Sequence, residues 1–269
     1  MEGLFRRVMT AGLLLVGFVA ALFLAPAPLW AALIAGVVGL AAHEWARLAQ
    51  FPAGVQVLYA VALGGMALVL PYLPGIDEVL LRNGLLVLAA LFWIVVAPLW
   101  LSQRWQGRRI FLRAALGVVL LLSTWAALLY LRERGPWVLL GVLAVVWLAD
   151  TAAFFAGRQF GQHKLAPRIS PGKTREGVIG AMLALVLYAS AVSAAVVGLR
   201  IVGALLLAMA LLYFAVIGDL FESWIKRVAD KKDSGSLLPG HGGVLDRIDA
   251  MTAALPIAAG VLIVAEHYA

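Results

Sequence analysis

Apolar runs of about 16–25 residues recur from one end of the chain to the other, separated by short polar breaks. About 20 helical residues cross the hydrocarbon core of a bilayer. The pattern therefore predicts membrane-spanning helices at approximately 1–25, 28–46, 53–73, 84–102, 111–131, 136–157, 177–199, 201–225 and 248–267. That is an all-α, polytopic bundle of about nine helices. The breaks at Pro26–Pro28, Pro71–Gly75 and Gly135–Pro136 carry turn chemistry rather than linker composition. No repeat of fixed period interrupts the chain. One domain over 1–269 is expected, with N-terminal helices over about 1–131 and a C-terminal half, about 136–267, that holds the candidate chemistry. Arg6 and Arg7 precede the first run, as in a secretory signal, and Ala25-Pro26-Ala27 hints at a cleavage site. The run is long for a signal and Pro28 would follow the cut, so a retained first helix is expected.

Composition agrees with this pattern. The chain is 64% hydrophobic with a mean hydropathy of +1.00, which excludes a soluble domain of this size. The net charge of +7 would suggest nucleic acid in a soluble protein. Here it reports topology instead, and no nucleic-acid partner is expected. With the N-terminus in the cytoplasm, all Lys and Arg except Arg82, Arg132, Arg134 and Arg200 fall on the cytoplasmic side. The 158–176 and 226–247 loops then share that face, and the C-terminus lies outside. Cysteine is absent, which rules out disulfides, iron–sulfur clusters and thiolate zinc. The four histidines are scattered and form no H-E-x-x-H, which argues against other zinc sites.

Near the second helix's end, His43 and Glu44 share a face with Arg47, which predicts an interfacial ion pair. Trp30, Trp45, Trp100, Trp105 and Trp137 sit near helix ends, as in an aromatic belt. Arg104, Arg108, Arg109 and Arg113 surround Trp105 and suit anionic lipid headgroups.

The polar residues inside apolar runs carry the chemistry. Asp150 and Asp219 each lie roughly 10–12 Å from the charged end of a helix. A carboxylate within a membrane costs about 2.5–3.5 kcal/mol on insertion scales and marks a functional site by default. Asp219, Glu222, Ser223 and Lys226 share one helix face. The carboxylates of Asp219, Asp246 and Asp249 suit a hard divalent cation such as Mg²⁺. Lys226, Arg227, Lys231 and Lys232 suit phosphate, and Gly242 and Gly243 let backbone N–H groups approach an anion. These are the parts of metal-assisted phosphoryl or nucleotidyl transfer. An ion transporter would also use intramembrane acids, but it tends to show repeated halves with a midplane site. In the octet Ser170-Pro171-Gly172-Lys173-Thr174-Arg175-Glu176-Gly177, Gly-Lys-Thr invites a P-loop reading. The required earlier glycine is Pro167 and no strand is expected before it, so that reading is rejected. Lys173 and Arg175 remain phosphate binders, and Ser170 and Thr174 can donate hydrogen bonds to a phosphate or a base.

Ser223-x-x-Lys226-Arg227, Lys232-Asp233 and Pro239-x-His241-Gly242-Gly243-x-x-Asp246-Arg247-x-Asp249 resemble the signature of phosphatidate cytidylyltransferases (CDP-diacylglycerol synthases). Asp150-Thr151-Ala152-Ala153-Phe154-Phe155-x-Gly157-Arg158, Gly161 and the 170–177 octet resemble two further blocks of that family. The departures are Gly172, where the family usually has a basic or another small residue, and Arg175, where it often has an aromatic. The resemblance runs from Asp150 to Asp249, and the N-terminal helices match only in being apolar.

The resemblance implies transfer of the cytidylyl group of CTP to phosphatidic acid, giving CDP-diacylglycerol and pyrophosphate with Mg²⁺. It implies a homodimer among membrane lipids of the inner (cytoplasmic) membrane, with the site facing the cytoplasm. Asp219 and Asp246 would hold the metal, with Asp249 and Asp150 assisting. Lys173, Lys226, Arg227 and Lys232 would bind phosphates. His241, Gly242 and Gly243 would line the nucleotide pocket, and Ser223 and Arg247 would complete the substrate-binding set. The nearest rival is a CTP-dependent polyprenol kinase, in which an alcohol accepts the γ-phosphoryl group.

Overall fold

The apolar runs fold as helices in a computed structural model, which describes residues 2–107, 109–196, 198–237 and 242–268, with the backbone only for residues 2–8, 10, 11 and 14. Arg108, and Pro239 and His241 of the signature, lie outside the described residues. The helices are α1 (Glu2–Leu24), α2 (Ala27–Leu48), α3 (Ala53–Val69, then a 3₁₀ turn over Leu70–Tyr72), α4 (Glu78–Leu91) and α5 (Ala97–Gln103). They continue as α6 (Ile110–Glu133), α7 (Pro136–Phe160), α8 (Arg175–Ala195), α9 (Ile201–Val228) and α10 (Leu245–Tyr268). A π-helical stretch, Phe92–Val96, joins α4 to α5 into one span. Among the described residues, eight spans are long and apolar enough to cross a membrane, and the apolar part of α1 adds Leu15–Leu24. The protein is an all-α, polytopic membrane bundle, and its buried core runs continuously through both halves of the chain.

Several boundaries differ from expectation for local reasons. The fourth span starts at Glu78, not 84, because the Asp77 carboxylate accepts from Leu80 N at 3.0 Å and caps the helix. The segment expected to be a strandless loop before α8 holds a hairpin. In it β1 (Lys164–Ala166) pairs antiparallel with β2 (Ser170–Thr174). Trp30, Trp45 and Trp100 are buried rather than placed in a belt, while Trp105 and Trp137 are exposed. Arg113, expected at the headgroups, is only 6% exposed. Its guanidinium donates to Gly107 O at 2.7 Å, Ala49 O at 3.2 Å and Gln106 O at 3.2 Å, fastening residues 106 and 107 to the end of α2.

Two devices set α10 against its neighbours. Pro256 lies inside α10 and has no N–H to give Thr252 O, its i−4 carbonyl. Trp93, fully buried in the π-helical stretch, donates its indole N–H to that oxygen at 2.9 Å. The Trp93 ring packs edge-on against Phe92 and against Phe221 of α9. On the other flank, a Cβ at Gly218 would sit 2.7 Å from Asp249 O and 3.1 Å from Ala253 Cβ. Only a residue without a side chain lets α9 and α10 cross this closely, one position before Asp219.

Candidate active site

The ends of α7 and α9 and the starts of α8 and α10 meet around the hairpin. Strand β2 carries Lys173 toward α9, where its Nζ lies 2.6 Å from Asp219 Oδ2. Ser223, one turn on, donates to Asp219 Oδ1 at 3.2 Å. Asp150, Phe154, Ser170, Lys173, Thr174 and Asp219 line a cavity of about 430 Å³ whose remaining walls include Val178, Leu212 and Val216. The cavity is thus polar at the hairpin and apolar between the helices.

The hairpin is closed by its neighbours. Glu176 accepts from Gln162 N at 3.1 Å and His163 N at 3.2 Å, and His163 Nδ1 lies 2.6 Å from its Oε1. Thr174 is buried, and its Oγ1 accepts from Gly177 N at 3.1 Å. The hydroxyl expected to serve a phosphate or base is therefore the N-cap of α8. Gly172-Lys173-Thr174 lies in an antiparallel strand, which is not P-loop geometry.

A second cluster stands at the start of α10. Lys226 Nζ lies 2.7 Å from Asp246 Oδ1 and 3.1 Å from Glu222 Oε1. Asp246 Oδ2 accepts from Ser234 N at 2.9 Å and Gly243 N at 2.8 Å, and Ser234 Oγ lies 3.0 Å from it. Gly243 is buried, and its N–H is engaged by Asp246. Gly242 has φ +80° and lies against the same carboxylate.

Glu44, only 4% exposed, also belongs to this cluster. It accepts from Ser234 Oγ at 2.8 Å, Val244 N at 3.0 Å and Leu245 N at 2.8 Å. The expected ion pair with His43 or Arg47 does not form among the described residues. The last turn of α2 buries Glu44, and the amides that begin α10, which have no helical partners, draw its carboxylate instead.

Asp249 lies between the clusters, close enough to Asp219, Asp150, Lys226 and Glu222 for their charges to interact. Asp150 is in turn within reach of Lys173, Asp219 and Arg247. Three helices thus aim Asp150, Asp219 and Asp249 at one region flanked by cations. In donor type and charge these oxygens fit a hard cation whose shell is completed by water and phosphate. They are not drawn together at metal-binding spacing: among the described residues no three such side chains are. Asp246 fits less well, because Lys226 and two loop amides already surround it. Arg227 contacts Lys231 O at 3.5 Å, and Arg175, Arg227, Lys232 and Arg247 are exposed. Sequence reasoning missed Glu44 and Ser234 as parts of the site and gave Glu222 no role beyond its helix face. The one signal was a lone carboxylate near the end of an otherwise apolar helix.

The model of the cytidylyltransferase family matches residues 5–265. Phosphatidate cytidylyltransferase of Pseudomonas aeruginosa is 40% identical over 267 residues, covering 96% of each chain. The enzyme of that name from Haemophilus influenzae is 36% identical over 276 residues, covering 93% of this chain and 96% of its own. That from Brucella suis is 36% identical over 248 residues, 88% of each. These matches include the N-terminal helices, which by themselves show only apolar composition. With a family model that covers nearly the whole chain and relatives that align along nearly their full length, this chain belongs to the cytidylyltransferase family.

Proposed function

We propose that the protein transfers the cytidylyl group of CTP to phosphatidic acid, forming CDP-diacylglycerol and pyrophosphate in phospholipid biosynthesis. The observation that carries this reading is the Lys173–Asp219 contact, which joins two phosphate-type segments of a cytidylyltransferase at one cavity. An oxygen of the lipid phosphate attacks the α-phosphorus of CTP. The bond from the α-phosphorus to the bridging oxygen breaks, and pyrophosphate leaves with the electron pair. The attacking oxygen is already ionised at neutral pH, so no general base is required. Two anions must meet, and Lys173, Lys226, Arg227 and Lys232 supply opposing charge. The cavity's apolar walls suit acyl chains while its polar end takes the phosphate.

Mg²⁺ would supply further charge neutralisation, with Asp219, Asp249 and Asp150 as its holders. Asp246 is the weaker candidate, because it already anchors Lys226 and the loop. The distribution of Lys and Arg supports an inner-membrane protein whose site faces the cytoplasm. The assembly we propose is a homodimer, on the family resemblance.

Labelled CTP tests the reaction. Label at the α-phosphorus is expected in the lipid product, and label at the γ-phosphorus in pyrophosphate. Lipid labelled from the γ-position would mean phosphoryl transfer, as in a kinase, and would overturn the reading. No labelled lipid from either position is the outcome for a transporter.

A further inference from the structure

We propose that Glu44, a side chain of the N-terminal half, is a positioning residue. It holds Ser234, Val244 and Leu245, and through Ser234 the Asp246–Lys226 pair, in working geometry. The proposal rests on the cytidylyltransferase reading in one respect: it takes Lys226 to act on a substrate phosphate.

A buried carboxylate is strongly unfavourable unless donors surround it. Glu44 has three, and they come from residues 190, 200 and 201 positions away. Two of them are the backbone N–H groups of Val244 and Leu245 at the start of α10, where a negative charge is stabilised by the helix's unsatisfied amides and its dipole. The third is Ser234 Oγ, which also lies within hydrogen-bonding distance of Asp246. Asp246 in turn holds Lys226. The contacts therefore run without a gap from α2 to the Lys226 amine.

Steric fit points the same way. A Cβ at either Gly235 or Gly243 would overlap the Glu44 carboxylate, so the backbone at both residues packs directly against it. The fit also demands a carboxylate rather than a neutral isostere. Glutamine offers a single acceptor oxygen, and its amide would confront a backbone N–H that needs an acceptor. Aspartate keeps the charge and both oxygens on a shorter stem.

The chain has no cysteine, so spin labels can be placed singly in the full-length protein. One label goes at Ser236→Cys in the loop, and the other at Arg168→Cys in the turn of the hairpin. Glu44→Gln is expected to mobilise the label at 236 and leave the label at 168 unchanged. It should also lower formation of lipid product by about 10–100-fold, the usual effect of removing a group that orients a working residue. Glu44→Asp should recover part of both losses. An unchanged spectrum at 236 would overturn the proposal. So would equal loosening of both labels, which marks a general structural role, or a mobilised loop with full activity. The spectra read the anchoring whether or not the proposed reaction is correct, so the two ideas fail separately.

Discussion

The hairpin's own hydrogen bonds come from nearby in the chain, with Lys173–Asp219 as its one described link to α9, whereas Ser234 and Val244 of the 229–244 segment are fastened to the far end of α2. Glu176 reaches back 13 and 14 residues to His163 and Gln162, and Thr174 caps the amide three residues on. Ser234 is tied 12 residues away to Asp246, and Ser234 and Val244 are tied 190 and 200 residues away to Glu44. Closing a longer loop costs only slightly more entropy, so the remote tie is not penalised for distance. What differs is how damage spreads. A fault in the hairpin stays beside the hairpin, while a fault at the end of α2 reaches the loop, Asp246 and Lys226.

The largest expected effect is at the point where the hairpin meets α9. Asp219→Asn keeps the shape but removes the charge that pairs with Lys173 and adjoins Asp249. Turnover at low-millimolar Mg²⁺ should fall by on the order of 100–1,000-fold, as when a transition-state charge stabiliser is lost. Full turnover in a folded variant would mean that the segments do not form one site.

Next come the two lysines. Lys173→Ala and Lys226→Ala should each lower kcat/KM by about 10–100-fold, equivalent to roughly 1.4–2.7 kcal/mol. Their effects on stability should separate. The Lys173–Asp219 pair is about a quarter exposed, while Lys226 sits between Glu222 and Asp246 with their side chains 5% and 7% exposed. Breaking a buried pair leaves an uncompensated charge and costs about 3–5 kcal/mol. Thermal unfolding in detergent should therefore show the lower Tm for Lys226→Ala, and equal Tm values would remove the contrast between the two supports.

The smallest effect belongs to the local cap. Thr174→Ala should cost about 1 kcal/mol of stability. Activity per folded molecule should stay within about fivefold of the parent, a limit set by the same approximate energy. A larger loss would show that the Thr174 hydroxyl serves the substrate after all.

This division also explains what could be read from the amino-acid order. Asp150, Lys173 and Asp219 stood out because each is a charged residue in or beside an apolar run, and the structure brings them to one cavity. The hairpin did not, because Ser170-Pro171-Gly172 is poor strand sequence and only the ring of contacts around Glu176 makes it extend. Asp77 did carry a start signal, a capping residue before Glu78, which hydropathy alone overlooks. For Glu44 the local spacing offers Arg47 and so predicts an interfacial ion pair, while its partners are some 200 residues away. No local rule ranks a neighbour on the same helix below the unsatisfied amides of another.

Trp93 and Pro256 carry a consequence for assembly. In hydrocarbon no water can take the place of a missing amide, so α10 inserted alone holds one carbonyl, that of Thr252, without a donor. Such a group costs a few kcal/mol in an apolar medium. The last helix therefore enters the bilayer with a polar gap at a defined height, and the indole of the fourth span fills it. A defect in one helix thus becomes an address for another, and correct pairing is rewarded before either substrate arrives.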